Sequence, residues 1–325
     1  MLTAYGLVGN RLAALPDLPA DSRLARWIDL RTPTLEEEQA VEALVGVAIP
    51  TAEDRRPVEE SARLYRDNGA LVMTAVVITG VSEGRPIRSR VTFVLTATTL
   101  VSVRYIDPLP FRQFIDRAQH LPTDEAAADT LLVGLLEAIL ERAADVLEQV
   151  AADLDDVSLR LFFKDEDTNR RRPSEEQMQA LLRRLGRKRR IGTLLRESLL
   201  SFERLIPFLA EHTGPRLTTD CHTRLNLVLR DIRSLTTFEG QMSEEITYLH
   251  EATLGLITLA QNQIVKVFSI VAVLFLPPTL VGAIYGMNFD GMPELKWAWG
   301  YPFSLLLMLI SALVPYWWLR RKGWL

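Results

Sequence analysis

The chain has 325 residues with 37 basic and 41 acidic side chains, and its formal net charge of −4 argues against nucleic acid as the main ligand. Its one cysteine, Cys221, excludes an internal disulfide framework and any cysteine-based zinc knuckle. The opening Met1-Leu2-Thr3-Ala4-Tyr5 carries no basic stretch followed by an apolar core, so no signal peptide is expected.

The first predicted elements are strands. β-Branched, apolar runs occur at Leu71 to Ile78, Val91 to Leu95 and Leu100 to Val103, punctuated by Asp67-Asn68-Gly69 and by Glu83-Gly84-Arg85-Pro86. They predict one sheet. Thr34 followed by Glu37 has the spacing of a capping box and starts a short helix through Glu38 and Val41. Residues 1–110 are therefore expected to form an α/β domain.

After Pro110 the pattern turns helical, and residues 111–215 read as a cytoplasmic helical region. Between Pro122 and Pro173 only Gly134 interrupts, and Glu137, Glu141, Asp145 and Glu148 recur on one face. Ser174 and Gln177 can cap the next helix, which carries Arg183, Arg184, Arg187, Lys188, Arg189 and Arg190. An acidic helix before a basic one suggests an antiparallel pair. Solvated faces with some cross-helix pairing explain these charges; a cation-collecting surface is the alternative.

No proline occurs between Pro215 and Pro277, so a stalk helix over 216–265 is expected to run straight into an apolar stretch. At about 1.5 Å per residue that makes a rod on the order of 90 Å. Val267 to Tyr285 is free of charge and long enough to cross a hydrocarbon layer of about 30 Å. A second charge-free stretch runs from Trp297 to Leu319. Two membrane helices are thus predicted, at 266–285 and 300–319, joined by a short loop at 286–299. Lys266 precedes the first helix, and Arg320, Arg321 and Lys322 in the basic tail 320–325 follow the second, so both chain ends are expected in the cytoplasm. Trp297, Trp299, Tyr301, Tyr316, Trp317, Trp318 and Trp324 suit the interfaces.

Two helices cannot enclose a water-filled path, so conduction requires several copies around an axis. Thr258, Asn262, Val265, Ser269, Ala272, Leu276, Thr279 and Ala283 share one stripe at helical spacing, which marks the first helix as the lining one. Asn262 has a second reading as an interhelical hydrogen bond, and Thr279 as a bond back to its own helix. The second helix offers only Ser304 and Ser311 and is expected to face lipid. Pro277 and Pro278 leave the carbonyls of Val273 and Leu274 without partners, through either a hinge or a fixed kink.

The run Tyr285-Gly286-Met287-Asn288-Phe289, then Met292-Pro293-Glu294-Leu295-Lys296-Trp297, Gly300-Tyr301-Pro302 and the ending Arg321-Lys322-Gly323-Trp324-Leu325 closely resemble the CorA magnesium/cobalt transporters. The likeness continues through Gln261-Asn262, Phe275-Leu276-Pro277-Pro278-Thr279-Leu280, Trp27-Ile28-Asp29-Leu30 and Glu60-Ser61-Ala62-Arg63. It implies a homopentameric funnel in the cell inner membrane: a cytoplasmic α/β domain, long helices and two C-terminal transmembrane helices. The partners implied are further copies of the chain, the lipid bilayer and divalent metal ions, with no nucleic acid and no enzymatic activity. Mg²⁺ is the cargo and a regulatory ion, and no cofactor is expected.

The same resemblance makes Gly286, Met287 and Asn288 the selectivity filter. Asn288 holds the hydrated ion through its waters. Asn262 and Thr279 match polar pore positions, and Leu276 a hydrophobic constriction. Asp290 and Glu294 are expected to raise the cation concentration at the entrance. Asp231 and Glu251 are candidates for a regulatory cytoplasmic metal site. A zinc transporter of the ZntB type, with or without proton coupling, is the alternative cargo reading, although His120, His212, His222 and His250 show no ligand spacing. A metalloenzyme finds little support, because His250-Glu251 is followed by Leu254 where a zinc signature needs histidine. A non-conducting membrane-anchored scaffold or sensor would need no polar stripe.

Overall fold

A computed structural model describes residues 1–50, 63–120, 126–162, 174–214, 217–287, 297 and 299–323. Seven strands, β1 (Leu2–Val8), β2 (Arg11–Ala14), β3 (Trp27–Arg31), β4 (Leu64–Asp67), β5 (Ala70–Thr79), β6 (Ile87–Leu95) and β7 (Leu100–Arg104), form one sheet in the order β2-β1-β3-β7-β6-β5-β4. Only β3 and β7 run parallel. Asn68 and Gly69 both take positive φ, 45° and 84°, which closes the β4–β5 hairpin with the twist its strands need. The strands expected at 71–78, 91–95 and 100–103 are present inside β5, β6 and β7. The structure adds β1 to β4, which are short or rich in small and polar residues and so lack a long apolar run.

Both faces of this sheet are covered, which is why its central strands read as unbroken apolar runs. Ile28, Leu30, Val72, Val94, Val101 and Val103 pack on one face with Val41 of helix α1 (Leu35–Val45). Thr34 and Glu37 complete the capping box at the start of α1, as expected. On the other face Trp27, Phe93 and Met73 are fully buried, with Phe111 and Phe114 of α2 (Leu109–Ala118) and Leu131, Leu132 and Leu135 of α3 (Ala128–Phe162) also in the core. Trp27 lies edge-on to Phe114, and Arg104 sits over the Phe111 ring. A Cβ on Gly134 would lie 2.8 Å from the Phe114 ring, so this glycine lets α2 approach α3 closely. Gly134 does not interrupt α3. Its role is steric.

That second face also holds a polar chain. The Trp27 indole donates to Ser102 at 2.9 Å, Ser102 donates to Asp29 at 2.7 Å, and Arg104 grips Asp29 through Nη2 at 2.8 Å and Nε at 3.1 Å. Arg104 and Asp29 are 3% and 4% exposed. Such a pair stands only because every partner is hydrogen-bonded; removing one member strands a buried charge.

The longer helices are α3, α4 (Glu175–Thr213), α5 (Thr219–Tyr285) and α6 (Gly300–Arg321). Ser174 and Gln177 cap α4 reciprocally, at 3.3 and 2.9 Å. Two compact units are present, one of residues 1–173 and 179–250, the other of 174–178 and 251–325. Within the first unit α4 runs antiparallel to α3, as the charge pattern suggested, but the acids that join them are not the ones singled out. Asp153 receives Arg184 and Lys188, and Asp156 receives Arg184. Glu137 instead binds Arg224 of α5 at 2.6 Å, and Glu141 binds Arg117 of α2 at 3.3 Å.

Helix α4 also finishes the sheet. Beyond the end of β4, Val76 of β5 has an edge with no strand partner among the described residues. There Ser201 accepts its N–H at 2.9 Å and Ser198 donates to its carbonyl at 2.7 Å. Two hydroxyls thus cover an edge that would otherwise template pairing with another chain.

Candidate functional site

The second unit has the composition of a membrane hairpin. The apolar part of α5 and α6 have mean hydropathies of 2.3 and 1.7, and the α5 segment has no buried residue. Phe268 is 71% exposed, Phe275 66% and Trp317 60%. A soluble core helix would hide such side chains, each worth about 1.5–3 kcal/mol on burial. Their exposure along two helices calls for lipid or further protein around them. Pro277 and Pro278 lie inside α5 and do not end it.

Gly282 lets the two helices meet: a Cβ there would lie 3.3 Å from Met308 of α6. Gly286 follows four residues later, and its N–H donates to the Gly282 carbonyl at 2.9 Å, while Met287 N–H donates to Ile284 at 3.2 Å. This Gly-x-x-x-Gly spacing is a known device for close helix approach in membranes. Sequence reasoning passed over it, although the spacing was legible. Gly286 and Met287, the first two positions of the expected filter, are exposed and sit at the C-terminal end of α5. A helix C-terminus carries partial negative charge, which favours a cation there. Asn288, Asp290 and Glu294 lie outside the described residues.

The expected stripe on α5 is exposed at Thr258, Asn262, Val265, Ser269, Ala272, Leu276, Thr279 and Ala283. Thr258, Ser269 and Thr279 each donate their hydroxyl hydrogen to the carbonyl four residues earlier, at 3.0, 2.8 and 2.7 Å. The bond back from Thr279, one of its two readings, is therefore made. It leaves the oxygen lone pairs pointing outward as acceptors. Such a row suits the water protons of a hydrated cation. On α6, Ser304 and Ser311 bond back in the same way at 2.8 Å each, yet Ser304 is buried and Ser311 half-buried.

The remaining candidates are scattered. Asp231 and Glu251 are both exposed on α5 and belong to different compact units. Among the described residues no group of three or more His, Cys, Asp or Glu side chains is placed to hold a metal ion. Glu251 falls on the polar stripe, about 20° around the helix from Thr258 at 100° per residue. Cys221 is buried beside Thr130, whereas the His222 ring reaches the Gly214 carbonyl at 3.3 Å, so these neighbours diverge.

One acid that sequence reasoning did not single out is Glu239 of α5. It is buried against α4, where its Oε1 would lie 3.2 Å from a Cβ on Gly192, and Arg196 is its ion-pair partner at 3.4 Å. Burial pushes its carboxyl above the usual range, against the pull of Arg196. Glu245 is raised likewise, by burial and then by Asp155.

A family model described as CorA-like Mg²⁺ transporter protein matches residues 24–321. The magnesium transport protein CorA of Yersinia pseudotuberculosis serotype I (strain IP32953) is 33% identical over 326 residues, covering 100% of both chains. That of Escherichia coli (strain K12) is 32% identical over 326 residues, again covering 100% of both. In three dimensions the chain is similar to the complete structure of the CorA magnesium transporter from Methanocaldococcus jannaschii, with a TM-score of 0.75 and 18% identity, covering 100% of this chain and 99% of that one.

Proposed function

Because the chain belongs to the CorA-like Mg²⁺ transporter family, we propose that its transport of divalent metal cations follows a water-filled path on the axis of a ring of identical copies. The observation that carries this reading is the exposed acceptor stripe of α5, which runs through an otherwise apolar helix and ends at Gly286 and Met287. One chain supplies two apolar helices, too few to enclose water, so the stripe has a purpose only when copies turn it inward. Five is the number that the resemblance implies. Lys266, Arg320, Arg321 and Lys322 favour cytoplasmic termini, and a cell inner membrane location is what the resemblance implies.

Mg²⁺ gives up its waters reluctantly, so it is held best by neutral oxygen atoms that accept from those waters. Rings of Thr279 and Asn262, and at the outer mouth a ring of Asn288, meet that need. Charged ligands that stripped the ion would bind it too firmly to release it. Leu276, one turn before Thr279, forms a hydrophobic constriction that opens or closes by wetting. Asp290 and Glu294 concentrate cations outside. Asp231 and Glu251 serve as weak regulatory contacts for cytoplasmic Mg²⁺ between copies, and no resident cofactor is required.

Uptake of Mg²⁺ into liposomes carrying the purified chain and an internal fluorescent indicator tests this. Mg²⁺ entry is expected, and Asn288→Ala is expected to abolish it. Unchanged flux through a well-folded Asn288→Ala oligomer would overturn the filter assignment. Uptake of Zn²⁺ alone, dependent on a pH gradient, would favour the zinc reading instead.

A further inference from the structure

A cavity of about 270 Å³ lies in the first unit beneath the β5–β6 turn, bounded by α2, α3 and α4. Its size is near the lower end for pockets that hold organic ligands. The floor is apolar, formed by Val77, Ile139, Val146 and Leu195, while Arg142 of α3 and Arg112 of α2 bring positive charge to the lining.

Arg142 determines the chemistry. Its side chain is only 18% exposed, yet among the described residues its paired carboxylate oxygen, on Asp145, is 3.8 Å away. Its hydrogen bond goes to the neutral Ser82 hydroxyl at 3.1 Å. A guanidinium has five N–H donors, and a covered charge without a close counterion is costly. By contrast Arg104 and Arg224 meet carboxylate oxygens at 2.8 and 2.6 Å. Nor does the acid nearest Arg112 restore the balance. Asp107 is shared by Arg104 at 2.6 Å, Arg31 at 3.3 Å and Arg112 at 3.8 Å, and although Asp29 also pairs with Arg104, two carboxylates serve three cations. Glu83, the other acid on the lining, is exposed on the turn.

We propose that this cavity binds a small organic anion with an apolar body, which lies on the aliphatic floor and presents a carboxylate or phosphate to Arg142, with Arg112 as the second cation. The site is separate from the ion path. Because its walls come from the sheet, α2, α3 and α4, the ligand ties the β5–β6 turn to the helices and stabilises that unit by mass action.

The test is thermal unfolding of the full chain in lipid nanodiscs with phenylacetate, phenyl phosphate, inorganic phosphate and the neutral phenylacetamide. A saturable rise of several degrees is expected with either or both aromatic acids, and none with phenylacetamide or inorganic phosphate. Which aromatic acid acts at the lower concentration assigns the headgroup. Arg142→Gln is expected to remove the rise while leaving Mg²⁺ uptake intact. Should Arg142→Gln fail to fold, Arg112→Gln, at a side chain 60% exposed, is expected to weaken the response at least tenfold. No saturable rise with either acid, an equal rise with the amide, or a response unaltered in these variants would overturn the proposal.

Discussion

The two compact units solve opposite problems with the same chemistry. In the first, charge is hidden by pairing within one chain: Asp29 with Arg104, Glu137 with Arg224, Asp153 with Arg184. In the second, apolar side chains such as Phe268 and Phe275 face outward, and hydroxyls turn their hydrogens onto their own backbone. These charges of the first unit are therefore balanced within a single chain. The second exposes apolar surface that calls for lipid or further protein around it.

The contrast is broken most severely at Asp29. Asp29→Ala leaves Arg104 and Ser102 without their buried acceptor and is expected to cost about 3–5 kcal/mol, seen as loss of the denaturation transition of the first unit. The matching blow to the second unit is Val271→Arg, on the side of α5 away from Ser269. It is expected to cost less than the roughly 2.5–3.5 kcal/mol of a membrane centre, because Val271 lies nearer the end of the span, and to lower the fraction of chain recovered in membranes. If Ser269→Arg behaved identically, the two sides of α5 would not differ as described.

Smaller effects sharpen the comparison. Thr34→Ala removes the acceptor that caps α1 and is expected to cost about 1 kcal/mol in chemical denaturation, with no change in Mg²⁺ uptake. Glu239 gives a pH signature. Its folded pKa is raised above the unfolded value, so its favourable contribution is full below the unfolded pKa and is lost as pH rises through the folded one. Glu239→Gln is therefore expected to flatten that fall and to raise the unfolding midpoint near neutral pH. A midpoint that falls equally at all pH values would show that Arg196 outweighs burial.

Much of this was legible in residues read singly or in short patterns. Capping boxes at Thr34 and Ser174 act over three residues, so their outcome follows from local geometry. The apolar runs of β5 to β7 and the charge-free stretches of α5 and α6 were equally plain. β1 and β2 escaped because Gly6, Ala13 and Ala14 dilute their apolar signal, and β3 because Asp29 and Arg31 break up its five residues. The pairing of α3 with α4 was anticipated, but Asp153 and Asp156 were not, since helix register depends on packing across the interface and not on charge alone. At the site, the stripe was readable from periodicity. The closure of Gly282 on Met308 and the outward lone pairs of Thr258, Ser269 and Thr279 were not.

Sequence by itself determined the apolar strands β5 to β7, the capped and long helices and the membrane-length stretches, because period, caps and charge exclusion are local properties of the chain. Only the tertiary structure decided the strand order, the Asp29–Arg104 pair, the serines that close the edge of β5 and the burial of Glu239. Each of those depends on groups far apart in the chain meeting at a few ångströms, a distance that no spacing along the sequence encodes.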